Sequence, residues 1–323
     1  MSRGLLLLGN TSGCNDPASV LAKNCVLTSL ESEESTEQDH TVKSLLSVLL
    51  WPVLFLVPLA IVWTAMPSGH GVAAFNATYL SLALAIAVLE RVMPHERAWL
   101  ENDGQILPDL LHTVLNKGVA QVLITVIVFM GIAEWAAPEA GGIWPAEWPL
   151  VLQLALGLVI VEFPLYWKHR LAHEWPWLWR FHAVHHSVTR LWFFNTGRFH
   201  LVDTLTGLAV GIPLLLVIGA PEPVLLLVSA VTAFIGLLTH CNIEMRCGVL
   251  NYVFNTPALH RWHHSKDLRE GNMNYGENLM LYDLLFGSFY NSPRRPPRDI
   301  GIEQPMPENF LGQLKVPFTR QPL

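Results

Sequence analysis

The chain has 323 residues, 51% of them hydrophobic and only 14% charged, with a formal net charge of −6 and a mean hydropathy of +0.35. Soluble domains carry about 25% charged residues, so lipid is the expected solvent for much of this chain. The apolar content excludes a disordered or collagen-like polymer and four Cys exclude a disulfide scaffold. The acidic balance argues against nucleic acid, whose phosphates need clustered Lys and Arg.

In chain order, residues 1–44 read as a disordered tail, because Glu31-Ser32-Glu33-Glu34-Ser35-Thr36-Glu37 is acidic and aperiodic. Leu5–Leu8 is too short for the apolar part of a secretory signal. Between Lys43 and Glu90 stand 46 residues without a charge, enough for two helices of about 20 residues crossing a hydrocarbon core. The breakers Pro67-Ser68-Gly69-His70-Gly71 divide the run into a hairpin, Leu45–Met66 and Val72–Met93. Further charge-poor stretches are Gly118–Ala133, Trp148–Val161, Thr204–Pro221 and Pro223–Ile243, the last two around the turn Pro221-Glu222-Pro223. Six membrane helices, or four plus shorter re-entrant ones, fit this pattern. The expected fold is therefore an all-α polytopic bundle over 45–290, with a helical cap carrying His boxes. Residues 291–323, rich in Pro, read as coil. Cys14, Cys25, Cys241 and Cys247 lack paired spacing and are expected to be free thiols.

Lys and Arg set the expected orientation. Tyr166–His200 holds Lys168, Arg170, Arg180, Arg190 and Arg198 against the single acid Glu174, and seven more basic residues follow His240 up to Arg298. The turns Pro67–Gly71 and Pro138–Pro149 carry neither Lys nor Arg. The basic segments, and the histidines within them, are expected on the cytoplasmic face.

Ten of the 14 His fall between His169 and His264. His169-Arg-Leu-Ala-His173 places two imidazoles four residues apart, on one face of a helix and about 6 Å apart along its axis. His182-Ala-Val-His185-His186 and His260-Arg-Trp-His263-His264 repeat one pattern whose three rings are expected on one side of a helix. His240 ends an apolar span and His200 begins another. Neutral imidazole is costly to bury unless its nitrogens are used, and metal is their commonest use. A His-rich set without Cys favours iron, zinc, copper or nickel. Eight or nine such ligands exceed the four that one structural zinc takes, and so imply two metals.

These three boxes among hydrophobic helices resemble the fatty acid hydroxylase/sterol desaturase superfamily of integral-membrane di-metal oxygenases. The stretch after the last box, HHSKDLREGNMNYGENLMLYDLLFGSFY at 263–290, carries a similar NxNYG element and a D-x-x-F-G-x-x-Y end. The resemblance covers Leu150–Tyr290. It implies two iron ions that activate O₂ and oxidise a lipid C–H bond, by hydroxylation or desaturation. Carried over by position, the ligands would be His169, His173, His182, His185, His186, His260, His263 and His264. His240 would match the isolated His between the second and third boxes. His200 is followed by Leu201 where the family often has Pro, which leaves its ligand role open. Asn274 could hold a metal-bound water or orient a ligand, and Asp283, Glu174 and Asp203 could accept from imidazole N–H groups. His40, His70, His95 and His112 stand outside the boxes and are not counted.

The electrons such a reaction needs call for a separate cytochrome, ferredoxin or reductase, and zinc could occupy the site adventitiously. The chain has no HExxH, GxSxG, GxxxxGK[ST] or GxGxxG motif, and no haem or iron–sulfur element. The competing reading is a membrane metal-binding or transport protein; it should carry ionisable ligands at mid-membrane depth, whereas these His lie at helix ends. A lipid reaching the site from the bilayer needs an apolar wall. Phe163, Tyr166 and Trp167, and Trp192, Phe193 and Phe194, are the candidates for it.

Overall fold

The computed structural model describes residues 17–129 and 142–323. Its described residues form helices and no strand, apart from isolated bridges such as Pro94 with Ile243. Two compact units divide the chain, 1–46 and 47–323. Helix α1 is assigned from Pro17 to Ala65, so residues 17–44, expected as an unstructured tail, are helical here. Cys14 and the end of the expected Gly118–Ala133 span lie outside the described residues.

Among the described residues, four stretches are long and apolar enough to cross a membrane: Thr41–Ser68 within and just after α1, α2 (Gly71–Val92), α4 (Leu150–Glu174) and α8 (Glu222–Thr239). A fifth helix, α3, covers Ile106–Phe129. The sixth expected span is shorter. Leu201–Val217 breaks at Gly211 into α6 (Leu201–Val210) and α7 (Ile212–Val217), with Pro213 opening the second piece. By length and composition, the described residues match four long spans and one shorter apolar pair.

Packing separates the helices by solvent. In unit 47–323, α8 buries Val224, Leu227, Val228, Val231, Phe234, Ile235 and Leu238 and is the centre of the core. The first hairpin buries a narrower face, with Trp51, Phe55 and Val62 on one arm and Leu82 and Ile86 on the other. Many of its other apolar side chains point outward, Leu80 and Leu84 each 69% exposed. Such a surface is stable only against hydrocarbon.

Polar clasps tie the membrane helices to the cap. Glu90, buried near the end of α2, accepts from the backbone N–H of Phe193 and Asn242. Arg198 is almost wholly buried and donates to Asp109 of α3, 2.9 Å away, to Gln105, and to the Val184 carbonyl. His112 of α3 bonds the Phe199 carbonyl and Gln313 Oε1. Gln313 lies on the short helix Phe310–Lys315, so the terminal segment expected as coil packs through it into the core of the cap. The thiols of Cys241 and Cys247 are free and buried.

Candidate metal centre

Helix α4 ends where Pro176 follows Trp175, because proline can open a new helix and cannot continue the old one. The chain turns there and α5 (Pro176–His186) packs back along the end of α4. This hairpin brings the first two boxes face to face. The third box sits on α9 (Pro257–His263), which α8 and the loop at 240–256 carry to the same place.

All nine histidines come together in two groups whose ligand atoms lie within 4.8 Å of one another. His169, His173, His182, His186 and His263 form one; His185, His240, His260 and His264 form the other. Each HxxHH box is therefore divided between the groups. On α5 the i, i+4 pair His182 and His186 faces one group while His185, rotated around the helix, faces the second. In the last box the i, i+4 pair is His260 and His264, and His263 crosses to the first group. The expectation that three rings of a box share one side is corrected by this split, which the 100° step per residue produces.

The nitrogens are arranged for cations. In the first group Nδ1–H of His169 donates to the Tyr275 carbonyl at 2.8 Å, that of His173 to Asn272 Oδ1 at 3.1 Å, and that of His263 to the Met273 carbonyl at 2.8 Å. His182 Nδ1 is 2.7 Å from Asp203, whose other oxygen is 2.6 Å from Lys168. The Nε2 atoms of these four rings, and of His186, are buried with no protein partner. Five inward lone pairs, four of them on rings held by outer acceptors, form a donor set that suits a divalent metal. In the second group His185 Nδ1 donates to the Arg198 carbonyl and His240 Nδ1 to Asn195 Oδ1. Here His240 Nε2 is 2.8 Å from His260 Nε2, which is 3.2 Å from His264 Nε2. Two nitrogens so close need a proton or a cation between them. Ligands each about 2.0–2.1 Å from one ion stand roughly 2.9–3.4 Å apart, so these spacings fit a shared metal.

Burial, aided by the neighbouring imidazoles, lowers the proton affinity of His185, His186, His260 and His264 well below the ordinary range, and brings His240 and His263 to about 3. Neutral imidazole is the form that binds metal. Without metal it is a liability in acid. Between pH 6.5 and about 3 the unfolded chain binds protons at His240 and His263 that the folded chain refuses, so falling pH favours unfolding. Each such His contributes a slope of up to about 1.4 kcal/mol per pH unit. Chelator-treated protein is expected to lose thermal stability steadily from pH 7 to pH 5, and a flat melting temperature over that window would contradict the burial.

The remaining expected site residues lie elsewhere. His200 caps α6, accepting from Val202 N, and its Nε2 contacts the Leu314 carbonyl, outside both groups. Asn274, in left-handed backbone at φ 57°, pins loops by donating to the Leu259 and Tyr290 carbonyls and accepting from Tyr290 N. Asp283 accepts from Tyr275 N, Gly276 N and the Ser288 hydroxyl. It thus holds the turn whose carbonyl orients His169, one bond further out than expected. Glu174 pairs with Arg170. Asn195, Asn272 and the buried Glu162, which accepts from Glu277 N and from Asn278 N and Nδ2, were given no role by the sequence. Nothing in their local pattern marks them.

Among the described residues, two of the cavities open on the histidines. One of about 170 Å³ is walled by histidines of both groups together with Thr196, Phe199, Asn255 and Glu277; it shares Thr196, Phe199, Thr232 and Gly236 with a neighbouring cavity of about 240 Å³ that reaches Tyr79, Asn116 and Leu237. The other, about 580 Å³, meets His173, His186 and His263 and is bordered by Trp179, Lys266 and Leu268. None of the six expected channel aromatics lines either one. Phe163 and Trp167 face a separate apolar cavity of about 470 Å³ beside Lys168 and Asp203. Tyr166 is buried against Ser288, Trp192 donates to Asp109, and Phe193 packs on the core. Phe194 stacks on Trp192.

Residues 154–288 match the family model described as fatty acid hydroxylase. The chain is 50% identical over 281 residues to ornithine lipid hydroxylase OlsE of Rhizobium tropici, covering 85% of each protein. It is 26% identical to alkylglycerol monooxygenase of Caenorhabditis elegans over 69% of this chain and 43% of that protein. The human alkylglycerol monooxygenase is 30% identical over 40% of this chain and 28% of its own length. No solved structure matches the chain.

Proposed function

Because the chain belongs to the fatty acid hydroxylase family, we propose that it is a membrane di-iron oxygenase that uses O₂ to hydroxylate an ornithine lipid or a closely related lipid with an amino-acid head. Its standing as a multi-pass, lipid-modifying oxidoreductase follows from the family and the four apolar helices. The observation that carries the finer reading is the pair of histidine groups, one with five inward, unpartnered Nε2 atoms and the other with three Nε2 atoms in a row 2.8 and 3.2 Å apart. A transport protein has no need of two adjacent all-imidazole sites at the end of the bundle, and hydroxylation is favoured over desaturation by the relatives' activities.

Two irons in these groups would supply the reduction of O₂ and the oxidation of a C–H bond. The chain's own residues do the rest. Outer acceptors fix six of the rings; among them Asp203, itself held by Lys168, orients His182 most strongly, since a carboxylate is the best partner for an imidazole N–H. The small cavity between the two groups would receive the reacting part of the substrate. Electrons would come from an external cytochrome, ferredoxin or reductase on the side that carries the histidines, which the distribution of Lys and Arg about the apolar spans assigns to the cytoplasm.

Purified protein loaded anaerobically with Fe²⁺ should hold two irons per chain and, with reductant and O₂, add one oxygen to ornithine lipid. One iron or none, or metal-replete protein that leaves every membrane lipid unchanged, would overturn the reading. A Cys placed at Ser68 should react with an impermeant reagent from outside the cell, and one at Ser187 should not.

A further inference from the structure

The segment after the third histidine box lies deeper than a cap over the bundle would. Helix α4 has 25 residues, and a hydrocarbon core takes about 20, so any stretch of that length taken from α4 includes Val159 to Trp167. The later segment is laid along this part of the helix. Tyr282 donates its hydroxyl to the Val159 carbonyl at 2.9 Å and sets its ring edge-on to Phe163, 5.3 Å between centres. Phe286 packs on Tyr166 and Trp167 at 5.5 and 5.1 Å, and Glu162 accepts from the backbone of Glu277 and Asn278. The loop at 248–254 does the same on the first hairpin. Its Phe254 ring stands 5.2 Å from Trp51 and 5.3 Å from Phe55, both well inside the apolar stretch Thr41–Ser68.

Composition and exposure agree with that depth. Residues 247–260 carry no Asp, Glu, Lys or Arg, and the one charge between Glu277 and Arg294 is Asp283, which is fully buried. The large side chains turned outward are apolar: Val249, at 79% exposure, Tyr252 and Val253 on the loop, and Leu284, Leu285, at 65%, and Phe286 on the short helix Leu281–Phe286. Irregular backbone is tolerated at membrane depth only where its polar groups find partners in the protein. Here Asn255 N donates to the Asn278 carbonyl, Met280 N to the Val253 carbonyl, and Tyr275 N and Gly276 N to Asp283. Glu162 completes the set, which gives a reason for a carboxylate in the middle of a membrane helix. The outward face is continuous with the lipid-facing side of α4, where Phe163 is exposed beside Tyr282. We infer that the short helix Leu281–Phe286 and the loop at 248–254 insert into the leaflet on the histidine side and present these six side chains to acyl chains. The bilayer then supports the turn that delivers the Tyr275 carbonyl to His169. Leu268 is as exposed as Leu285, but it stands between Asp267 and Arg269 and belongs to the surface in water.

Nitroxide labels test this in full-length protein reconstituted in phosphatidylcholine vesicles, with Cys14 and Cys25 replaced by Ser. Cys241 and Cys247 are buried, and the background without an added cysteine measures any label they take. The variants are Leu285→Cys and Val249→Cys, with Leu84→Cys on the outward face of α2 as the standard for lipid and Leu268→Cys as the standard for water. Oxygen concentrates in hydrocarbon, whereas a nickel chelate stays in water. At Leu285→Cys and Val249→Cys, O₂ should relax the label more than nickel does, as at Leu84→Cys, and the order should reverse at Leu268→Cys. Each variant changes one exposed side chain, and its melting temperature and metal content verify the fold. Nickel relaxing either label more than O₂ overturns the insertion. Poor access to both reagents, with spin–spin broadening that disappears on dilution with unlabelled protein, overturns it as well, because a second copy of the chain then covers the face. The labels are read without turnover, so the result stands apart from the reaction the protein catalyses.

Discussion

His263→Ala is expected to abolish activity and to lower iron from two to one per chain, while the protein still inserts in the membrane. His263 is fully buried, its ring centre is 4.6–4.7 Å from those of His169, His173 and His186, and its Nδ1–H is held by the Met273 carbonyl. Alanine removes one of five inward nitrogens and leaves the others without the geometry to hold the ion. Loss of an outer partner alone costs about 10–100-fold in such sites, so loss of a ligand should exceed a hundredfold. The control is His112→Ala. His112 is as deeply buried, but its two nitrogens serve the clasp to Phe199 and Gln313. That variant should melt earlier yet bind both metals. Iron retained at two by His263→Ala, or lost by His112→Ala at unchanged stability, would overturn the assignment.

Glu162→Leu should cost about 3–5 kcal/mol and with it most of the bound metal. Glu162 is wholly buried within α4 and is the acceptor for Glu277 N at 2.6 Å and for Asn278 N and Nδ2 at 3.0–3.1 Å. Leucine matches its bulk but leaves those donors unpaired in a place water does not reach. The same turn delivers the Tyr275 carbonyl to His169, so damage at a membrane helix should travel to a ring of the first histidine group through that hydrogen bond. Glu162→Gln keeps one acceptor oxygen and should lose less. Thermal unfolding and iron content, measured together on both variants, check this. A leucine variant with wild-type melting and two irons would show that the turn stands without its acceptor.

The membrane helices and the nine histidines are legible in the sequence because each depends on local pattern. A 46-residue run without charge cannot be hidden from lipid, and His at i and i+4 share a helix face whatever lies around them. The helical wheel even contains the division of each HxxHH box between two groups, although spacing alone reads as one face until a second helix fixes which way each ring must point.

Other features depend on contacts between distant segments, and only the tertiary structure decided them. His200 looks like a box residue by its place before an apolar stretch, yet the fold uses it as a cap on α6. Trp192, Phe193 and Phe194 follow the second box in sequence, but the chain turns them toward Asp109 and the core, away from the cavities that reach the histidines. The acceptors that orient His169, His185 and His263 are backbone carbonyls, which every residue carries and no sequence can single out. Glu162 reads as a charge at the edge of a span until the turn at Glu277 and Asn278, more than a hundred residues on, closes over it. Local periodicity sets helices and ligand spacing; the pairing of buried donors with acceptors is set only when the helices pack, because desolvation makes an unpaired group too costly to leave.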